Sequence, residues 1–136
     1  MDILQLEVVT PERLLLTTDT GMVTIPGQDG LFGVLPGHTP FLSGVKAGHL
    51  IVGEAGKGER YAISHGFAQI YHNQVTLLVD QAIAEKELNP KAANRELGQA
   101  KEALQGVSPD DPAHAACQER LAFAEACCAL INPAQR

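Results

Sequence analysis

Five histidines, three cysteines and one glycine-rich loop bearing a lysine are the places in this 136-residue chain that invite chemistry. The loop Gly53-Glu54-Ala55-Gly56-Lys57-Gly58 has a faint likeness to a phosphate-binding loop. That device needs four residues between its glycines, and a Ser or Thr after the Lys to reach a metal. Here Glu54 and Ala55 alone separate Gly53 from Gly56, Gly58 follows Lys57, and no helix pattern starts there. The loop reads as a plain turn. The histidines (His38, His49, His65, His72 and His114) contain no i, i+2 or i, i+4 pair, so neither a strand nor a helix presents two of them together. A metal-dependent enzyme built on His38, His49 and Glu54 is an alternative only if folding brings them together. The cysteines (Cys117, Cys127 and Cys128) lack a C-x-x-C spacing. Their odd count and adjacency make a poor disulfide framework and fit a reducing compartment. Cys117 and Cys128 fall on a helical apolar stripe and read as small core residues. No Ser-His-Asp elbow, defensible acid pair or cofactor fingerprint appears. The expectation is no catalytic residue, no metal and no cofactor.

The most distinctive stretch is Ile25-Pro26-Gly27-Gln28-Asp29-Gly30-Leu31-Phe32-Gly33-Val34-Leu35-Pro36-Gly37-His38-Thr39-Pro40. It holds four glycines and three prolines in sixteen residues, interleaved with apolar side chains. A rigid loop of that kind either presents a binding surface or makes a tight connection between strands. Composition alone favours neither.

Two kinds of element must position these residues. Eleven of the thirteen glycines lie at or before Gly66, whereas fourteen alanines lie at or after Ala82 and only four before it. Glycine among short β-rich runs signals strands and turns; dense alanine with Glu, Gln, Lys and Leu signals helix. The chain is therefore expected to divide into a strand unit over 1–85 and a helical unit over 86–136. Strands are predicted over Ile3–Val9, Arg13–Thr18, Gly21–Ile25, Gly33–Leu35, His49–Val52, Arg60–Ile63, Gly66–Tyr71 and Val75–Val79. Their frequent turns suggest an antiparallel β-sandwich of about ten short strands. Asn89 with Pro90 predicts a capped helix start, and Ala93, Leu97, Ala100, Leu104 and Val107 recur along it at helical spacing. After the loop Gly106–Pro109, Asp111-Pro112 restarts a helix whose stripe is Cys117, Leu121, Ala124, Cys128 and Ile131, with Asn132-Pro133 ending it. The result is an antiparallel two-helix hairpin, too alanine-rich to be stable alone, that must dock on something. The fold class is α+β, mainly β at the N-terminal end.

The chain's composition closes off several functions. A net charge of −6, 19% charged and 45% hydrophobic residues describe a folded water-soluble protein with no basic patch for nucleic acid. The longest stretch without an acid or base, Tyr61 to Val79, contains Ser64, His65, Gln69, His72, Asn73 and Gln74, whose polar groups lipid would leave unsatisfied. No membrane insertion is expected. The start Met1-Asp2-Ile3 has neither a basic leader nor a transit pattern, so a cytoplasmic location is expected.

The segment 25–40 resembles the epsilon subunit of the rotary proton-translocating F-type ATP synthase. The marks are an acidic Gly-x-x-Gly turn and the run Pro36-Gly37-His38-Thr39-Pro40. Leu6-Glu7-Val8-Val9-Thr10-Pro11 is similar to that family's first strand. Tyr61-Ala62-Ile63-Ser64-His65-Gly66-Phe67 and Val75-Thr76-Leu77-Leu78-Val79-Asp80-Gln81-Ala82 match later ones, and a helical hairpin follows in both. The resemblance implies a non-catalytic rotor subunit for proton-driven ATP synthesis, peripheral on the cytoplasmic face of the bacterial inner membrane. Its implied partners are the gamma subunit, the proteolipid ring and, through the hairpin, the alpha/beta catalytic head. It also implies a ring-facing loop of Gln28, Asp29, Gly30 and Leu31, and a turn at the gamma/ring interface made of Pro36, Gly37, His38 and Pro40. The hairpin would lie folded on the sandwich or extend and slow ATP hydrolysis.

Two departures from the family pattern bear on regulation. ATP-binding members carry an Asp and an Arg where this chain has Asn89 and Ala92, leaving Lys91 and Arg95 as the nearby cations; weak or absent ATP binding is expected. The second helix offers Arg120 beside Glu119, with Glu125 and Arg136 beyond, so strong electrostatic inhibition is not expected. A helical-hairpin adapter remains the other alternative.

Overall fold

The computed structural model describes residues 3–54 and 57–132. Ten strands come first: β1 (Leu4–Val9), β2 (Leu14–Thr20), β3 (Val23–Gly27), β4 (Gly30–Val34), β5 (Phe41–Val45), β6 (Gly48–Val52), β7 (Glu59–Ile63), β8 (Gly66–Tyr71), β9 (Gln74–Val79) and β10 (Ala82–Ala84). A 3-10 turn over Glu85–Glu87 leads into α1 (Pro90–Gln105), and α2 (His114–Ile131) follows. Alternation decides the faces. Leu4, Leu6 and Val8 are buried on β1 while Gln5 faces water, and Ala68 and Ile70 on β8 are buried between exposed Phe67, Gln69 and Tyr71.

The strands run in the order β10-β7-β6-β3-β5-β8-β9-β1-β2, with β4 also on β3. All pairs are antiparallel except β1 with β9. At β3–β5 the ladder narrows to Gly27 opposite Val45, and the sheet folds over on itself there. Its halves close on one core that joins Val23, Ile25, Leu50 and Ile63 to Leu4, Leu6, Ile70 and Leu77. Gly66 lies opposite Val79, and a Cβ on it would collide with the Leu78 carbonyl, so only glycine permits that strand spacing.

Several elements differ from the sequence expectation: β2 and β3 each run two residues further, to Thr20 and Gly27. Strand β4 starts at Gly30, because Gly27 and Gly30 pair and leave only Gln28 and Asp29 in the turn. Strands β5 and β10 were not expected. Ser43 and Gly44 look like turn residues, and the register with β8, Leu42 opposite Gln69 and Gly44 opposite Phe67, is what makes them strand. Helix α2 begins at His114; Asp111 instead closes the preceding turn, its Oδ1 accepting from the Ala113 amide at 2.8 Å.

The start of α1 is as expected: Asn89 Oδ1 accepts from the amides of Lys91 (2.9 Å) and Ala92 (3.1 Å), with Pro90 at the first helical position. Helix α1 packs on α2, and α2 lies against β6 and β7. Ala93, Ala100, Ala124 and Cys128 are buried on the predicted stripes, and the Cys128 thiol donates to the Ala93 carbonyl at 3.5 Å. Yet α2 has a second apolar face that its stripe did not contain. Ala126, Cys127 and Leu130, with Phe123, pack on Ala62, Ile83 and Leu88. This cluster shares no residue with the sandwich core.

Candidate functional site

The turn Gln28-Asp29 is held tightly although both residues are exposed. Gln28 N donates to the Gly44 carbonyl at 3.1 Å, and the Gln28 side chain lies directly over Gly44, filling the space a Cβ would need. Gly30 has φ of +130°, which a side chain would strain. Asp29 therefore projects from a fixed frame, followed by Leu31, which is 69% exposed.

Residues Leu35, Pro36, Gly37 and His38 form a type II turn. His38 N donates to the Leu35 carbonyl at 3.1 Å, and Gly37 carries the required positive φ of +85°. His38 Nδ1 lies 2.6 Å from the Thr39 carbonyl, and Pro40 leads into β5. Phe41 joins the two expected segments: its ring meets Phe32 edge-on at 5.7 Å and His38 at 6.1 Å. Sequence reasoning did not single out Phe41, because it stands between turn-forming residues.

The outward face of β5, β8 and β9 carries four exposed apolar side chains, set among Gln69, Gln74 and Thr76. Phe67 stands opposite Leu78, with Leu42 and Tyr71 on the same face, and each is between 47% and 70% exposed. Strand alternation could have found this face: Phe67 and Leu78 occupy positions where a two-layer sandwich should show polar side chains. An apolar patch on a strand face is the mark of a surface that another protein covers.

The hairpin is latched to the sandwich by two histidines. His49 Nε2 lies 2.9 Å from the Ala126 carbonyl of α2. His65 stands 2.9 Å from Glu119 on α2 and 3.7 Å from Asp80. Between helices, Arg120 makes a two-pronged pair with Glu96 at 2.7 and 2.9 Å, and that hydrogen bond holds the Glu96 carboxyl below its usual range. Burial, with the neighbouring Cys128, pushes the Cys127 thiol up to about 11. Tyr61 is raised to about 12 by burial and its hydrogen bond to Glu59.

A cleft of about 580 Å³ lies where the hairpin meets the sandwich, beside Asn89, Ala92 and Ala93. Its one cation is Arg13, set among Glu12, Asp80, Glu87 and Glu96. Lys91 and Arg95 are exposed and are not among its lining residues. The cleft is negative, which disfavours phosphate. His38 and His49 are engaged at separate places, and among the described residues no group of three or more His, Cys, Asp or Glu could hold a metal. Ala55, Gly56 and Arg136 lie outside the described residues.

Comparison with known proteins follows the same division. Residues 3–85 match the family described as ATP synthase, Delta/Epsilon chain, beta-sandwich domain. The chain is 36% identical over 127 residues to an ATP synthase epsilon chain of Magnetococcus marinus, covering 93% of each. It is 38% identical over 108 residues to that of Myxococcus xanthus, covering 79% of each. Among solved structures it is similar to a chain in the Euglena gracilis mitochondrial ATP synthase, OSCP/F1/c-ring, with a TM-score of 0.73 and 26% identity over 93% of this chain and 79% of that one. The fold also matches a chain in the central stalk and c-ring of the Tetrahymena thermophila enzyme, with a TM-score of 0.63 and 15% identity over 98% and 96%. No helix among the described residues is long and apolar enough to cross a membrane. A sandwich with an uncovered apolar face, a docked two-helix hairpin and these relatives agree: the chain belongs to the family of ATP synthase epsilon chains, non-catalytic subunits of the central rotor and peripheral parts of a membrane complex.

Proposed function

We propose that residues 1–85 are the rotor-binding unit, coupling the gamma shaft to the proteolipid ring, and that 86–136 are a regulatory hairpin reaching the alpha/beta catalytic head when released. The observation that carries this reading is the uncovered apolar face of Leu42, Phe67, Tyr71 and Leu78 beside the two rigid turns. The gamma subunit covers that face and the Pro36–Pro40 turn. Asp29 and its neighbours Gln28, Gly30 and Leu31 meet the ring. The assembly places the chain on the cytoplasmic face of a bacterial inner membrane.

The hairpin described here is in its folded-down state. Its separate apolar cluster and its histidine contacts support a dock that can open without unfolding the sandwich. Arg120 is engaged by Glu96, so the released helix brings little free positive charge to the catalytic head, and inhibition of hydrolysis is weak. The acidic cleft at Asn89 gives ATP no fixed cation beyond Arg13.

Replacing Asp29 with Lys tests the ring contact. Melting of the isolated chain should shift by no more than ~0.5 kcal/mol, as for other exposed turn charges. Proton-driven ATP synthesis by the assembled complex should fall. Normal synthesis with normal assembly would mean that this turn does not meet the ring, and a collapsed melt would mean that it is structural.

A further inference from the structure

The β8–β9 connection is a tight turn of His72 and Asn73, both with positive φ (49° and 60°), the conformation of a type I′ hairpin. Glycine would serve at the second position at least as well as asparagine, so the turn itself does not require an Asn there. The side chain has a different use. Asn73 Oδ1 accepts from the Gly37 amide at 2.7 Å, across thirty-six residues of sequence. The Gly37 N–H is not used inside its own turn, where His38 N closes on the Leu35 carbonyl. The Gly37 N–H can only donate, so the group facing it must be the oxygen of the Asn73 side chain. The Asn73 carbonyl meanwhile accepts from Gln5 N at 2.9 Å, which fixes the β8–β9 turn to the start of β1.

We propose that Asn73 is a positioning residue for the rotor contact: it holds the Pro36–Pro40 turn in the orientation its partner binds. This inference rests on the reading that the turn faces the gamma subunit. Apart from Asn73, the turn is steadied by the backbone on either side and by the tilted contact of the His38 ring with Phe41 at 6.1 Å. The hydrogen bond ties it to the end of the same strand pair that carries Phe67, Tyr71 and Leu78. The turn and the apolar face thus become one surface, and the partner meets a preorganised site.

Three variants of the full chain test this, each measured for melting, for hydrogen exchange at the Gly37 amide, and for rebinding to ATP synthase stripped of this subunit. Asn73→Gly keeps the positive φ and removes the acceptor. Its melting should hold, Gly37 exchange should accelerate, and rebinding should weaken roughly three- to ten-fold, the size of one neutral hydrogen bond. Asn73→Asp keeps an acceptor oxygen and should restore both exchange and binding. His38→Ala removes a side chain the turn presents and should weaken rebinding on its own. If His38→Ala weakens rebinding but Asn73→Gly does not, the positioning role is refuted and the reading of the turn stands. If neither variant changes rebinding, the reading of the turn itself fails. A lower melting point for Asn73→Gly that Asn73→Asp does not rescue would make Asn73 merely structural.

Discussion

Leu130→Ala should open the hairpin without unfolding the sandwich. Leu130 is fully buried on α2 against Ala62, Ala126 and Cys127, with Ile83, Leu88 and Phe123 around it. None of these residues belongs to the sandwich core. Truncating a buried Leu costs about 2–5 kcal/mol, and here that loss falls on docking. It shifts the docking equilibrium by roughly thirty-fold to several thousand-fold. The remaining polar contacts at the dock, His49 to the Ala126 carbonyl and His65 to Glu119, are partly exposed, and each offsets only about 1 kcal/mol. Cys127 supplies the assay. It is 7% exposed with its thiol raised to about 11, and only a thiolate reacts with a disulfide reagent. In a Cys117→Ala, Cys128→Ala background at mildly alkaline pH, Leu130→Ala should speed labelling of Cys127 by about thirty-fold or more while the melt of the sandwich stays in place. An unchanged labelling rate together with a lower melting point would refute the separation: hairpin and sandwich would then be one cooperative unit.

Further outcomes follow from single contacts. Because docking raises the Cys127 thiol from 9.0 to about 11, the docked state keeps a proton that the open state loses. Docking should therefore be fully stable below about pH 9 and weaken as pH rises toward 11, with Cys127→Ala flattening that dependence. Glu96 is depressed by Arg120, so its contribution to the α1–α2 contact is present above the ordinary Glu range and is lost as pH falls through its lowered value; Glu96→Gln should remove that acid sensitivity in a circular-dichroism titration. Gly66→Ala forces a Cβ into the Leu78 carbonyl and should cost about 3 kcal/mol or more in denaturant unfolding, whereas a Cβ at Gly98 on α1 meets nothing, so Gly98→Ala should stabilise by up to about 1 kcal/mol. A chain ending at Glu85 should still melt cooperatively and bind the gamma subunit, since the apolar core of the sandwich contains no hairpin residue.

The sequence by itself determined the division into strands and helices, because glycine and alanine segregate along it and side-chain period follows local geometry. It also determined the start of α1, where Asn89 accepts from the first helical amides and Pro90 has none to satisfy, with no help from elsewhere. The two turns of the candidate site were visible as glycine and proline at fixed offsets, for the same local reason. Strands β5 and β10 were not, since Phe41–Val45 and Ala82–Ala84 are too short and too mixed to show a period and become strands only by pairing with β8 and β7. The second apolar face of α2 was hidden too: Cys127 and Leu130 interleave with a stripe already assigned to α1, and only the sheet beneath shows that the helix is covered on both sides. Asn73, Phe41 and His49 act through partners 36, 9 and 77 residues away, and no local pattern encodes such a contact. Hydrogen bonds and ring contacts across those separations exist only once the sheet has folded over and the hairpin has docked, so it was the tertiary structure that decided which surfaces are held rigid and which can open.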